Sequence, residues 1–184
     1  MRGSPGHLLV IKALKRAGVP LDAVTLVNLS AGDAKAALSG GSVDAWAIWD
    51  PYLAIGERQD HDRVLTTSGD QGDEVETGVA TEAAIAAKRS QLLDFMERVR
   101  RAQAWAQVHP AEMARAYASD TGVPLDIALE MRQRSKIEVL PRITDAAVAS
   151  HQQAADIYAD IGLIPHRVDV SQVYDRSFVL GGAS

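Results

Sequence analysis

The sequence holds 184 residues, 47% hydrophobic and 23% charged, with a net charge of −5 and no cysteine. That composition suits one domain or two small lobes around a buried core, and it excludes a disordered chain, a disulfide scaffold, a thiol nucleophile and a cysteine-ligated metal. The 19 basic residues are scattered, so neither nucleic acid nor an acidic membrane surface is an expected partner, and no apolar run approaches the roughly 18–20 residues of a membrane span.

Ser4 has the chemistry of an N-cap, and Pro5 suits the first helical position, where a missing N–H costs nothing. Leu8, Leu9, Ile11, Leu14 and Ala17 then repeat at helical spacing, and Lys12, Lys15 and Arg16 gather near the end before Gly18. This predicts a helix over 5–17. The β-rich run Val24–Leu29 reads as a buried strand. Ser30 and Asp33 form a capping-box pattern that opens a helix to about Ser39, ended by Gly40 and Gly41. Val43–Trp49 reads as a second strand, and Asp50-Pro51 as the start of another helix.

Arg63–Thr67 and Thr77–Ala80 read as further strands on either side of a loop, Ser68–Asp73, rich in Gly, Asp and Ser. From there the pattern turns helical. Ser90 is the expected cap of a long helix with Leu92, Met96, Val99, Ala102 and Ala106 on one face, punctuated by His109-Pro110. Shorter helices are expected around 111–119, 124–134 and 144–161, the last ended by Gly162. The order predicts an α/β fold with a parallel sheet, followed by a helix-rich C-terminal part.

Among candidate site residues, Ser4, Gly6 and His7 stand out. A helix N-terminus offers unpaired N–H groups and about half a positive charge, which suits a sulfonate or carboxylate. Ser4 adds a hydroxyl, Gly6 leaves backbone amides approachable, and His7 is a further donor. The plainer reading is a helix cap beside a surface histidine. Asp50, at the carboxyl end of its expected strand, would meet a ligand amine or would cap the helix at Pro51. Strand alternation sets Trp46 and Asp50 on one face and Trp49 on the other, where Trp49 would form an apolar wall for an alkyl chain. Trp105 reads as core. The five histidines show no metal-ligand spacing and no Ser-His-Asp set is visible, so neither a catalytic residue nor a cofactor is expected.

Three stretches resemble one family. They are Gly3-Ser4-Pro5-Gly6-His7-Leu8-Leu9, Gly41-Ser42-Val43-Asp44-Ala45-Trp46-Ala47-Ile48-Trp49-Asp50-Pro51-Tyr52, and an ending with Gln152-Gln153, Ala155-Asp156, Gly162-Leu163-Ile164-Pro165 and Val168-Asp169-Val170. In this order they are similar to the substrate-binding proteins of ABC importers for aliphatic sulfonates, nitrate and taurine. Val24–Leu29, Ala104-Trp105-Ala106 and His109-Pro110 match in between. The Trp-Asp-Pro stretch is the most specific of these.

The resemblance implies part of a two-lobed periplasmic-binding-protein fold of type II, with residues 1–60 in the second lobe and 61–184 returning into the first. It further implies a non-catalytic protein whose lobes close over a small anionic solute and which docks on the transmembrane subunits of a permease. Such proteins are periplasmic or held at the cell surface. Met1–Gly6 runs straight into a periodic segment and does not read as an export signal. The expectation is therefore a C-terminal fragment, without the opening half of the first lobe and the strand before Gly3. Arg132 and Arg134 lie near a position where the family carries paired arginines, but the run Arg132-Gln133-Arg134 breaks that pattern and reads as a solvated helix end. Two other readings compete. A pyrimidine-precursor enzyme of the same superfamily would need a histidine- and cysteine-bearing site, and the chain has no cysteine. A cytoplasmic effector-sensing module would suit the missing signal, yet it calls for a fused DNA-binding or signalling segment, and none is visible.

Overall fold

Local capping chemistry opens the first two helices where the sequence predicts them. Ser4 accepts the His7 N–H and opens α1, Pro5–Arg16, with Pro5 in its first turn. Ser30 accepts the Asp33 N–H and opens α2, Ala31–Ser39. Both helices end on a left-handed glycine, Gly18 and Gly41, and the residue after each reaches back five positions (Val19 N–H to Leu14, Ser42 N–H to Ala37). These are Schellman closures, which only a glycine enters without strain. The computed structural model describes residues 2–71, 77–135, 137 and 139–181.

The chain forms two compact units, one of Met1–Glu74 with Ile157–His166, the other of Val75–Asp156 with Arg167–Ser184. The first unit holds α1, α2 and the short α3, Tyr52–Ile55, which runs into a π-helical turn, Gly56–Asp60. Leu8 and Ile11 of α1 and Ala54 of α3 are its buried apolar residues. The second unit is built on α4, Glu82–Val108, packed on α5, Pro110–Thr121, which packs on α6, Leu125–Arg134. Ala106, Ala114, Ile127 and Ala128 fill those contacts, small residues that let helices approach closely. The last helix, α7, Asp145–Asp160, begins in the second unit with Thr144 accepting the Ala147 N–H, and its final residues belong to the first.

The four expected strands are absent. Val24–Leu29, Val43–Trp49, Arg63–Thr67 and Thr77–Ala80 run as irregular chain, and the described residues contain no β-strand. Among the described residues the α/β layer predicted from β-rich runs is therefore not seen. A strand persists only when a neighbour takes up its N–H and C=O groups, and among the described residues no segment does so. The apolar side chains stay open as a result, with Val27 57% and Leu65 69% exposed. The long helix differs from expectation by beginning earlier, in two stretches. Thr81 caps the first by accepting the Ala84 N–H, helical geometry breaks at Lys88, and the second stretch resumes there, within two residues of the expected start at Ser90. Trp105 is not core. It lies 46% exposed, its ring stacked on His109 at 4.6 Å.

In the second unit the segment after residue 166 is fastened to the helices. Gln152 grips it with both ends of its amide, donating to the Val168 carbonyl at 2.8 Å and accepting the Val170 N–H at 3.0 Å. Arg89 pairs with Asp175 and Ser177 and lies 4.1 Å above the Phe178 ring. Phe178 and Leu180 are buried.

Candidate anion-binding site

Three distant pieces of the first unit meet where α1 begins. Gly6 is buried there, and a Cβ on it would lie 3.2 Å from the Ala47 carbonyl oxygen, so that neighbour would have to yield by a few tenths of an ångström. A glycine thus lets α1 sit close against the 43–49 segment. Tyr158, from the last turn of α7, donates its hydroxyl to the Ser4 carbonyl at 3.0 Å and stacks its ring on His7 at 6.1 Å and 27°. The turn after α7 lies beside the same place, with Leu163 next to Gly3. All three stretches that carry the resemblance therefore contribute to this corner.

The corner is rich in donors. The Ser4 carbonyl takes the Leu8 N–H, and the Ser4 hydroxyl oxygen takes the His7 N–H. The Gly3 N–H donates to His7 Nδ1 at 3.0 Å, which leaves the proton of a neutral imidazole on Nε2. Burial first, then the positive charge of Arg2, holds this imidazole below its ordinary value of 6.5. A helix N-terminus, a hydroxyl and an imidazole thus lie together at this corner, beside the charge of Arg2.

The remaining candidates are less tightly drawn in. Asp50 accepts the Ala54 N–H at 3.2 Å, so its carboxylate caps α3, following a cis Asp50-Pro51 peptide. Trp49 is half exposed. With no strand formed, the alternation that would set Trp46 and Asp50 on one face and Trp49 on the other does not apply. Arg134 pairs with Glu130 along α6. Arg132 does not read as a solvated helix end, because its guanidinium turns toward the Ala106 carbonyl and its Nε is buried without a hydrogen-bond partner. Among the described residues no His, Asp or Glu cluster could hold a metal ion, and no helix is long and apolar enough to cross a membrane. Sequence reasoning missed Tyr158, because nothing local marks a contact that spans 154 residues.

No protein-family model matches the chain. Two curated relatives, both named for binding aliphatic sulfonates, each match at 26% identity. The relative from Escherichia coli matches over 93% of this chain and 54% of its own length, the one from Bacillus subtilis over 85% and 47%. The chain thus spans about half the length of the curated relatives it matches. The crystal structure of the periplasmic aliphatic sulphonate binding protein SsuA from Escherichia coli superposes with a TM-score of 0.86 at 26% identity, covering 100% of this chain and 60% of that one. The alkanesulfonate-binding protein SsuA from Xanthomonas axonopodis, bound to MOPS, superposes with a TM-score of 0.85 at 25% identity, covering 96% and 61%. In sequence and in fold, the relatives of this chain are the aliphatic sulfonate-binding proteins.

Proposed function

We propose that this chain is the part of an ABC-importer solute-binding protein that contributes the anion cradle, and that the solute is an alkanesulfonate. The observation that carries the reading is the convergence of Ser4, Gly6, His7 and Tyr158 at the start of α1, in a chain whose relatives are named for binding aliphatic sulfonates. The sulfonate oxygens accept from the Ser4 hydroxyl, the Gly6 amide and the imidazole Nε2–H, while Trp49 shields the alkyl tail. Asp50 serves the helix start at α3 and, for a taurine-like solute, the amine. The captured solute is then handed to the transmembrane subunits of a permease, outside the cytoplasm.

The two-lobed α/β architecture belongs to the same proposal. In it, Val24–Leu29 and Val43–Trp49 become strands once neighbouring strands are supplied by the portion of the relatives that this chain does not span. Residues 1–60 form second-lobe structure and the chain then returns toward the first. Calorimetry decides the function, using this chain joined to the unmatched portion of the Escherichia coli relative. Saturable one-site binding of ethanesulfonate supports the reading. Heat of mixing alone, with every alkanesulfonate tried, refutes it.

A further inference from the structure

We infer that Tyr158 is a positioning residue that, together with the Gly3 amide, fixes His7 as its neutral Nε2–H tautomer, so that the α1 start offers its solute a neutral N–H donor rather than an imidazolium. The inference rests on the anion-site reading only for its consequence in binding. Its structural half stands on the geometry. A backbone N–H can meet Nδ1 at 3.0 Å only if that nitrogen carries its lone pair. Gly3 reaches the ring because it adopts φ +80, a conformation that strains any residue with a side chain. A Cβ there would lie 3.6 Å from Leu163, ordinary contact, so conformation and not crowding reserves the position for glycine.

Tyr158 holds the other side of the ring. Its own backbone is fixed by the turn that ends α7, where the Leu163 and Ile164 N–H groups both donate to the Tyr158 carbonyl, at 2.8 and 3.3 Å. Its hydroxyl donates to the Ser4 carbonyl, three residues before His7 in the chain, and its ring lies against the imidazole. The end of one helix thus sets the rotamer of a residue at the start of another. Protonating Nδ1 would bring two donors face to face and break the Gly3 bond. The charged group facing the ring is Arg2, positive, and with burial it opposes protonation as well. Across the pH range of the experiment a sulfonate keeps its charge, so any change of affinity reports the protein. Acidification loosens the cradle and weakens binding several-fold, the reverse of what an imidazolium-anion attraction would give.

The test uses the 184-residue chain labelled with 15N-histidine, kept dilute, and read by long-range 1H–15N correlation. The expected spectrum shows His7 Nδ1 in the lone-pair range and Nε2 in the N–H range, titrating below 6.5. Tyr158→Phe keeps the stacked ring and deletes the hydroxyl. In that variant the two tautomers should begin to average. An Nδ1–H or averaged His7 in the parent chain overturns the inference, and this arm holds even if the variant fails to fold. An unchanged tautomer in a folded Tyr158→Phe removes Tyr158 from the role. Methanesulfonate titrated into the completed protein at neutral and mildly acid pH forms a separate arm. Tighter binding in acid overturns the neutral-donor consequence. No binding at either pH sinks the anion-site reading while the tautomer result stands on its own.

Discussion

Replacing Ser4 by alanine tests whether the α1 start is a binding site or only a cap. The Ser4 hydroxyl oxygen accepts the His7 N–H at 3.3 Å, at the long end of the usual range. Losing an N-cap costs about 0.5–2 kcal/mol, and this long bond places Ser4→Ala near 1. The Ser4 carbonyl keeps its bonds from Leu8 and Tyr158, so the damage should stay local. In a completed protein of larger lobes, a loss of that size lowers the melting midpoint by about 2–4 °C or less. A hydrogen bond from the hydroxyl to a sulfonate is worth about 1.5–3 kcal/mol, a loss of roughly 10- to 100-fold in affinity. Glycine at an N-cap costs only a few tenths of a kcal/mol, so Ser4→Gly separates the two effects by sparing stability and losing affinity. Differential scanning calorimetry and ethanesulfonate titration of both variants, in the completed protein, supply the two numbers. If both variants bind as the parent does, Ser4 is a cap and nothing more.

Three further outcomes are expected. Phe178→Ala removes a ring that is 9% exposed and covered by Arg89. It should cost about 3 kcal/mol and expose the segment after residue 166 to limited proteolysis. Glu97 and Asp175 are held below their ordinary values by hydrogen bonds, mainly from Arg100 and Ser177 respectively. Because the folded values lie below the unfolded ones, their stabilisation is present above pH ~4.5 and is lost as the pH falls through the carboxylate range; urea midpoints measured against pH should drop on the acid side and stay flat near neutrality. The 184 residues studied by themselves should self-associate. They leave Val27 and Leu65 of the expected strands 57% and 69% exposed, and such apolar segments with unpaired backbone invite association. Gel filtration with light scattering should show mass rising with concentration, and a concentration-independent monomer contradicts the expectation.

The helices were legible because their signals are local. Ser4-Pro5, Ser30 with Asp33 and the stopping glycines Gly18, Gly41 and Gly162 each act within one turn, and each appears where the sequence places it. The strands were not, because Val24–Leu29 and Val43–Trp49 have the composition of strands while a strand's hydrogen bonds come from elsewhere in the fold. The stretch from Thr81 to the break at Lys88 was not legible, because periodicity marks the face of a helix better than its first residue. Trp105 was misplaced for a related reason: apolar spacing shows which side chains share a face but not which face is covered. At the candidate site, Ser4, Gly6 and His7 could be proposed from the physics of helix ends. The contribution of Tyr158 could not, since it depends on the end of α7 coming back to the start of α1.

The most direct test of the central claim is to follow backbone amide resonances while ethanesulfonate is added to the completed protein. The Gly6 N–H belongs to the first turn of α1, where an anion would draw on it, while the His7 and Leu8 N–H groups donate to the Ser4 hydroxyl oxygen and carbonyl. The prediction is a saturable downfield movement of the Gly6 amide with a single midpoint. Saturable binding that leaves this amide unmoved and shifts a different cluster would contradict it.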